Sequence, residues 1–185
     1  SEGGVLKWRH SDCTIFTAVS GATALTRAGG NLVEATTTST TAVDLLTATV
    51  TALTAATPFW LQVLARKTAG AASGAGLGLK LNATVVGEAV ASSPVIWSAT
   101  TTNEVQRGMA QVIVGPRVPG YARPIVGFIY SANDAGAQTV AQGADAGQPA
   151  DYPTADITSV IIRAITTASV TCGADELEVY IFATG

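Results

Sequence analysis

The only histidine of the chain, His10, sits in "WRHSD", followed directly by Ser11 and Asp12. Serine, histidine and aspartate are the makings of a nucleophile, a base and an orienting acid, but those roles need side chains that converge from separate places in a fold. Neighbours in sequence cannot be oriented around His10 in that way, so it reads as an exposed or interface residue. Two carboxylates flanking a cleft would suit glycoside hydrolysis. "DELE" at 175–178 instead puts Glu176 and Glu178 on one outer face of a strand, where they blunt an edge against unwanted pairing. Asp134, Asp145, Asp151 and Asp156 offer oxygen ligands, yet their spacing matches no calcium loop. "GAGLGLK" at 74–80 lacks the Lys-Ser or Lys-Thr ending of a phosphate loop, and "NAT" at 82–84 fits a glycosylation acceptor pattern that is common by chance. Cys13 and Cys172 share no metal-ligand spacing with His10. They read as two unpaired small apolar residues, with a disulfide between them as the alternative. No catalytic residue, metal or cofactor is expected, and the chain is not read as an enzyme.

Contact chemistry is better represented. "VLKWRH" sets Trp8 between Lys7 and Arg9, and aromatic and Arg side chains are common anchors of interfaces. Folding of Trp8 back onto its own domain is an equal alternative. Residues 106–124 carry Arg107, Arg117 and Arg123 with no acid, whereas 133–156 carry the four aspartates with no Lys or Arg. Patches of opposite sign on one chain suit contact between identical subunits. The bland reading is two solvated loops.

Composition supports a surface rather than a reaction. The chain has 185 residues and a formal net charge of −3, and only 12% of its residues are charged. Without a basic stripe, nucleic acid is not an expected partner. The hydrophobic fraction of 48% comes largely from Ala and Val among Thr and Gly. Leu45 to Ala65, the longest uncharged stretch, is interrupted by threonines, Pro58 and Gln62, so no spanning helix and no membrane partner is expected. No apolar run follows the charges of "SEGGVLKWRHSDC", so a signal peptide is not expected either. A face so poor in charge loses little solvation energy when it docks.

The elements that would position such surfaces are short strands. Residues 1–34 read as an irregular N-terminal arm punctuated by glycines, with one short strand in "CTIFTAV". In 36–57, Val43, Leu46, Val50 and Leu53 have spacing that a helix could use, but the many β-branched threonines favour strands. "FWLQVLARK" sets Leu61, Val63 and Ala65 against Trp60, Gln62, Leu64 and Arg66, and "LGLKLNATVV", entered through the turn "TAGAASGAG" as a hairpin, sets Leu77, Leu79 and Leu81 against Gly78, Lys80 and Asn82. "PVIWSA", "AQVIVGP" and "RPIVGFIYSA" read as further strands. Residues 133–156 read as a long exposed loop with a brief strand at 138–141. "ITSVIIRA" reads as a strand packed from two sides, and after a turn at "CGADE" the last strand points Leu177, Val179 and Ile181 one way and Glu176, Glu178, Tyr180 and Phe182 the other. Turn signals between many short strands predict an all-β, antiparallel sandwich or barrel over 35–185, behind the arm 1–34.

"RKTAGAASGAGLGLKLNATVV" and "ITSVIIRAITTASVTCGADELEVYIFA" resemble the jelly-roll proteins on the outside of tailed bacteriophage particles, the head decoration or cement proteins and related tail-tip modules. The resemblance is one of texture over residues 57–185, and it carries no functional residue across. It implies an antiparallel β-sandwich of jelly-roll type and a structural virion protein on the outer capsid surface, a homotrimeric or otherwise clustered knob that ties neighbouring major capsid protein subunits together. Lys7, Trp8, Arg9, Arg107, Arg117 and Arg123 are the candidate partner contacts. One alternative is a receptor- or carbohydrate-binding tip of a tail fibre, with Trp60, Trp97, Tyr121 and Tyr152 as candidate aromatics; the other is a single-jelly-roll capsid protein.

Overall fold

A computed structural model of the chain describes residues 6–7, 17–18, 24–54, 57–68, 74–87, 97–99, 105–116, 125–133, 138–145, 156–167 and 170–183. The described residues contain no helix. They form β1 (Leu6–Lys7), β2 (Thr17–Ala18), β3 (Ala24–Asn31), β4 (Ala35–Thr37), β5 (Val43–Leu53), β6 (Phe59–Lys67) and β7 (Ala75–Leu81). They continue with β8 (Thr84–Gly87), β9 (Trp97–Ala99), β10 (Gln106–Val114), β11 (Ile125–Asn133), β12 (Gln138–Asp145), β13 (Ile157–Thr166) and β14 (Cys172–Ala183).

Apart from the small β1–β2 pair, the strands belong to one 12-stranded antiparallel sheet in the order β12-β11-β10-β6-β14-β3-β5-β13-β7-β8, with β4 on β14 and β9 on β7. The sheet curls so that its β12-to-β3 half faces its β5-to-β8 half. A single residue pair, Gly29 with Val50, joins the two halves. One core lies between them, with Leu46, Ala48, Val50 and Leu53 of β5, Phe59, Leu61 and Val63 of β6, Leu77, Leu79 and Leu81 of β7, Val112 of β10, Ile162 of β13 and Leu177 of β14 all buried. The fold is thus an all-β, antiparallel sandwich of jelly-roll-like kind. Consecutive strands interlock the halves, since β5 pairs with β13 in one half while β6 pairs with β14 in the other.

Alternation explains most of these elements. In β6, Phe59, Leu61, Val63 and Ala65 are buried, while Trp60, Gln62 and Leu64 are half-buried and Arg66 is exposed. Each fully buried Leu or Phe is worth about 1.5–3 kcal/mol, so a pattern of period two decides the conformation. In β5 that pattern prevails over helix-compatible spacing, because Thr47, Thr49 and Thr51 stay exposed while Leu46, Ala48 and Val50 are buried. Ile157, Val160, Ile162 and Ala164 of β13 are likewise buried.

Four expectations need correction. Residues 24–31 fall in the stretch read as an irregular lead-in but form β3, which pairs with Leu177–Ala183 of β14. The segment "TAGAASGAG" does not close a hairpin between β6 and β7. β6 lies beside β10 and β14, whereas β7 lies beside β13 and β8. The strand expected at 138–141 runs on to Asp145, in register with β11 to Ile125. Finally, "CGADE" is no turn ahead of the last strand. Cys172 and Ala174 are buried in the core, and Gly173 and Ala174 pair with both β4 and β6, so β14 continues through the segment. The turn-like sequence is absorbed as a bulge between Asp175 and Glu178, with Glu176 in the left-handed region at φ 49°.

Two local devices fix strands in place. A Cβ at Gly29 would collide with the Thr49 carbonyl oxygen and lie 2.9 Å from Val50 Cγ1, so only glycine lets β3 approach β5 at the bend. Asn82, at φ 53° in the β7–β8 turn, accepts from the Thr158 and Ser159 amides at 2.9 and 3.2 Å and donates through Nδ2 to the Asp156 carbonyl at 2.9 Å. The side chain of the glycosylation-like "NAT" thus anchors the start of β13. Cys172 is a free thiol in the core, and Cys13 lies outside the described residues.

Gly29→Ala is expected to lower the unfolding free energy by about 1–3 kcal/mol, the usual cost of overpacking. Urea denaturation would show this as a lower midpoint with an unchanged slope. Burial pushes the Cys172 thiol up from 9.0 to about 12. Its thiol should therefore resist a thiol-specific reagent at pH 8 in native buffer and react once urea unfolds the chain. Because the folded value is raised, the stability linked to this thiol is complete below about pH 9 and is lost as pH climbs toward about 12. Rapid labelling of Cys172 in the native state would contradict its core position.

Candidate surface groove and aromatic pair

On the outer face of the sheet, opposite the core, β6, β10 and β14 carry the side chains that alternation turns outward. Directly paired residues on neighbouring strands share a face. Arg107 is paired with Arg66, Met109 with Leu64, Gln111 with Gln62, and Ile113 with Trp60. Across β14, Tyr180 is paired with Trp60, Glu178 with Gln62 and Gly173 with Arg66. Gln111 Nε2 donates to Gln62 Oε1 at 3.1 Å, which ties the middle of this face.

At one end lies a groove of about 460 Å³, lined by Leu64, Gly108, Met109 and Gly173 between Arg66, Arg107, Glu34 and Asp175. Glycine at 173 makes it possible. A Cβ there would lie 2.7 Å from Arg66 Nε and 2.9 Å from its Cγ, so the missing side chain lets Arg66 fold across β14. Arg66 then forms an ion pair with Glu34, which precedes β4. The bulge at Glu176 interrupts the ladder beside the groove. Two arginines stand opposite each other at its mouth, and only Arg66 has an ion-pair partner among the described residues.

At the other end Trp60 and Tyr180 meet with ring centroids 5.2 Å apart and planes inclined by 33°. The Tyr180 hydroxyl donates to Glu178 Oε2 at 2.6 Å, and Arg27 Nε donates to Glu178 Oε1 at 3.1 Å. The bond to the Glu178 carboxylate holds the Tyr180 phenol above its ordinary value; desolvation and the charge of Glu178 act in the same direction, and Arg27 opposes them. Glu178 therefore serves a polar chain on a central strand. It does not blunt an edge, because β14 has neighbours on both sides.

The candidate contacts distribute unevenly. Arg107 is exposed on β10 at the rim of the groove. Lys7 belongs to β1, paired with Thr17 in a separate two-stranded sheet. Trp8, Arg9, Arg117 and Arg123 lie outside the described residues, as do Tyr121 and Tyr152. Trp97 is not an exposed aromatic, since β9 places it opposite Leu77 and fully buried in the core. Trp60 lies half-buried on a sheet face, not at a loop end. No motif marks Arg66, Glu34, Leu64, Met109 and Gly173 as one site in the sequence. Alternation in "FWLQVLARK" does place Leu64 and Arg66 on the face of Trp60, but nothing local connects them to Glu34 or Gly173. Among the described residues no group of His, Cys, Asp and Glu could hold a metal ion. The groove and the aromatic pair are suited to binding, with an apolar floor and charged or hydrogen-bonding margins.

The amino-acid sequence matches no known protein family, and no curated protein matches it. Among solved structures, the chain is similar to one of botulinum neurotoxin type C, whose cell entry depends upon interaction with two ganglioside molecules (10% identity, 97% of this chain and 47% of that one, TM-score 0.30). It is also similar to a β-porphyranase of the gut bacterium Bacteroides plebeius (8% identity, 76% and 68%, TM-score 0.21). A third is the Gt strain of infectious bursal disease virus (9% identity, 91% and 43%, TM-score 0.24). The chain spans about half the length of the toxin chain it matches, 47%. No function or partner follows from likenesses with TM-scores of 0.30 and below.

The Tyr180 phenolate should form at higher pH than that of a free tyrosine, and Glu178→Gln should move it back toward the ordinary value. NMR of carbon-labelled tyrosine, assigned with Tyr180→Phe, reads this directly. With a raised folded value, the stability from this contact is complete below the ordinary tyrosine range and lost as pH rises through the raised one.

Proposed function

We propose that this chain is a non-enzymatic structural protein of a virion surface, a decoration or cement subunit that binds the outside of a phage head and stabilises the major capsid lattice. The observation that carries the reading is the outer face of β6, β10 and β14, where Trp60, Leu64, Met109 and Tyr180 are half-buried and Ile113 exposed beside an open groove. Such a face on a closed sandwich docks at low desolvation cost. Clustering of the subunit, as a trimer, would multiply modest contacts by effective concentration, and a subunit that binds only the mature shell stabilises it by mass action. The low charge content supports the same reading.

A second reading is favoured by Trp60 and Tyr180, whose paired rings and polar margin resemble a platform for a sugar. On that reading the chain is a carbohydrate-binding tip. Cryo-electron microscopy of the native particles that carry the protein separates the two. Density in clusters over junctions of another protein on an icosahedral shell supports decoration; density at a fibre end, or forming the shell itself, overturns it. On the decoration reading Trp60→Ala, a change within the docking face, should weaken shell binding about tenfold. Loss of glycan retention in that variant, with assembly intact, would favour the sugar platform.

A further inference from the structure

Between β3 and β4 the chain turns at Asn31–Glu34 and presents two large apolar side chains to solvent, Leu32 at 60% exposure and Val33 at 69%. The turn is built, not loose. Asn31 Nδ2 donates to the Thr47 carbonyl at 3.1 Å, and Asn31 Oδ1 accepts from the Val33 amide at 3.0 Å. Adjacent exposed residues of this size need an explanation in a chain that keeps its other large described aliphatics mostly buried. Glu34, two residues beyond Leu32, is itself part of the groove wall and grips Arg66. An extended chain advances at most about 3.3–3.6 Å per residue, so the apolar tip stands within roughly 7 Å of the groove margin.

We propose that the Leu32–Val33 tip of one copy seats in the groove over Leu64, Met109 and Gly173 of a second copy, making a closed symmetric oligomer. The inference rests on the contact reading above and names the occupant of its groove. A knob and a hollow side by side on one surface are what self-association about a nearby symmetry axis requires, because rotation exchanges them. The rim charges fit the same operation. Arg66 is neutralised by Glu34 within its own copy. Arg107 and Asp175, of opposite sign on the same rim, have no ion-pair partner among the described residues. A second copy brings an Asp175 toward Arg107 and an Arg107 toward Asp175. A partner of one charge sign would leave one of them opposed.

The test is sedimentation velocity of the whole chain across a concentration series, with circular dichroism to check folding. The wild type is expected to form one discrete small oligomer. Leu32→Asp with Val33→Asp, at positions already exposed, should keep the fold and weaken association at least about tenfold. Arg107→Asp and Asp175→Arg should each weaken it, and the two together should regain it. As a positional readout, a photo-crosslinking residue at 33 should attach to a second copy within 64–66, 107–109 or 173–175. A wild type that is monomeric throughout, an oligomer indifferent to the Leu32/Val33 change, or a charge swap without recovery would overturn the inference. The particle experiment fails separately. Clusters on a shell that survive loss of the tip would sink the knob contact but keep decoration, whereas a tip-dependent oligomer absent from any shell would do the reverse.

Discussion

The interlock of β5 and β6 with β13 and β14 is the constraint on which the rest of the molecule depends. β5 and β6 are consecutive in the chain yet lie in opposite halves of the curled sheet, and β13 and β14 cross between the halves beside them. The halves are held to each other by the chain that passes between them, by the Gly29–Val50 pair and by the core they share. The same crossing brings Phe59 and Leu61 of one layer against Leu46 and Ile162 of the other, so the topology and the core are one fact seen twice. Long-range pairing of this kind is slow to form, because loop closure must precede the contacts that repay it. It also explains why glycine is needed at 29. Where the sheet turns from one layer into the other, a backbone carbonyl occupies the place of a side chain.

Charge has a narrow role in this architecture. Asp44 accepts from Lys80 Nζ at 2.7 Å and from Arg163 Nε at 3.0 Å, linking β5, β7 and β13 on their outer face. Arg27 with Glu178 ties β3 to β14, and Arg66 with Glu34 ties β6 to the β3–β4 turn. Pairs this exposed contribute roughly 0–1 kcal/mol each, less than the burial of one leucine, so they do not hold the sandwich together. Their effect is on register. A slip of one residue would turn a whole strand inside out, and each pair is lost on such a slip.

Strands with plain alternation were legible before any coordinates. "FWLQVLARK" and "LGLKL" read correctly residue by residue, because burial on one face leaves a period of two that needs no tertiary context. What local pattern leaves open or misreads is non-local. The helix-like spacing in β5 coexists with a sheet because Leu53 rejoins β13 only after a register shift, which no local rule anticipates. "CGADE" has the composition of a turn, yet its small residues are small because Cys172 and Ala174 fit between packed layers and Gly173 makes room for Arg66. Trp97 looked like a contact aromatic and is core. The groove was invisible in the same sense, since its lining comes from 34, 64–66, 107–109 and 173–175 and exists only once β10, β6 and β14 are aligned.

Few charges remain on the outer face once the intramolecular pairs are formed, and this bears on why such a surface persists in water. A charged face resists burial because each ion must be desolvated, and a fully apolar face invites indiscriminate association. The face of β6, β10 and β14 lies between these limits. Gln111 donates to Gln62, Tyr180 is held by Glu178, and apart from the exposed Ile113 the apolar side chains are half-buried. A surface whose polar groups are partly paired internally has less solvation to lose on docking. Its selectivity then falls to shape and to the few charges left at the rim, the two properties that distinguish one chosen partner from general stickiness.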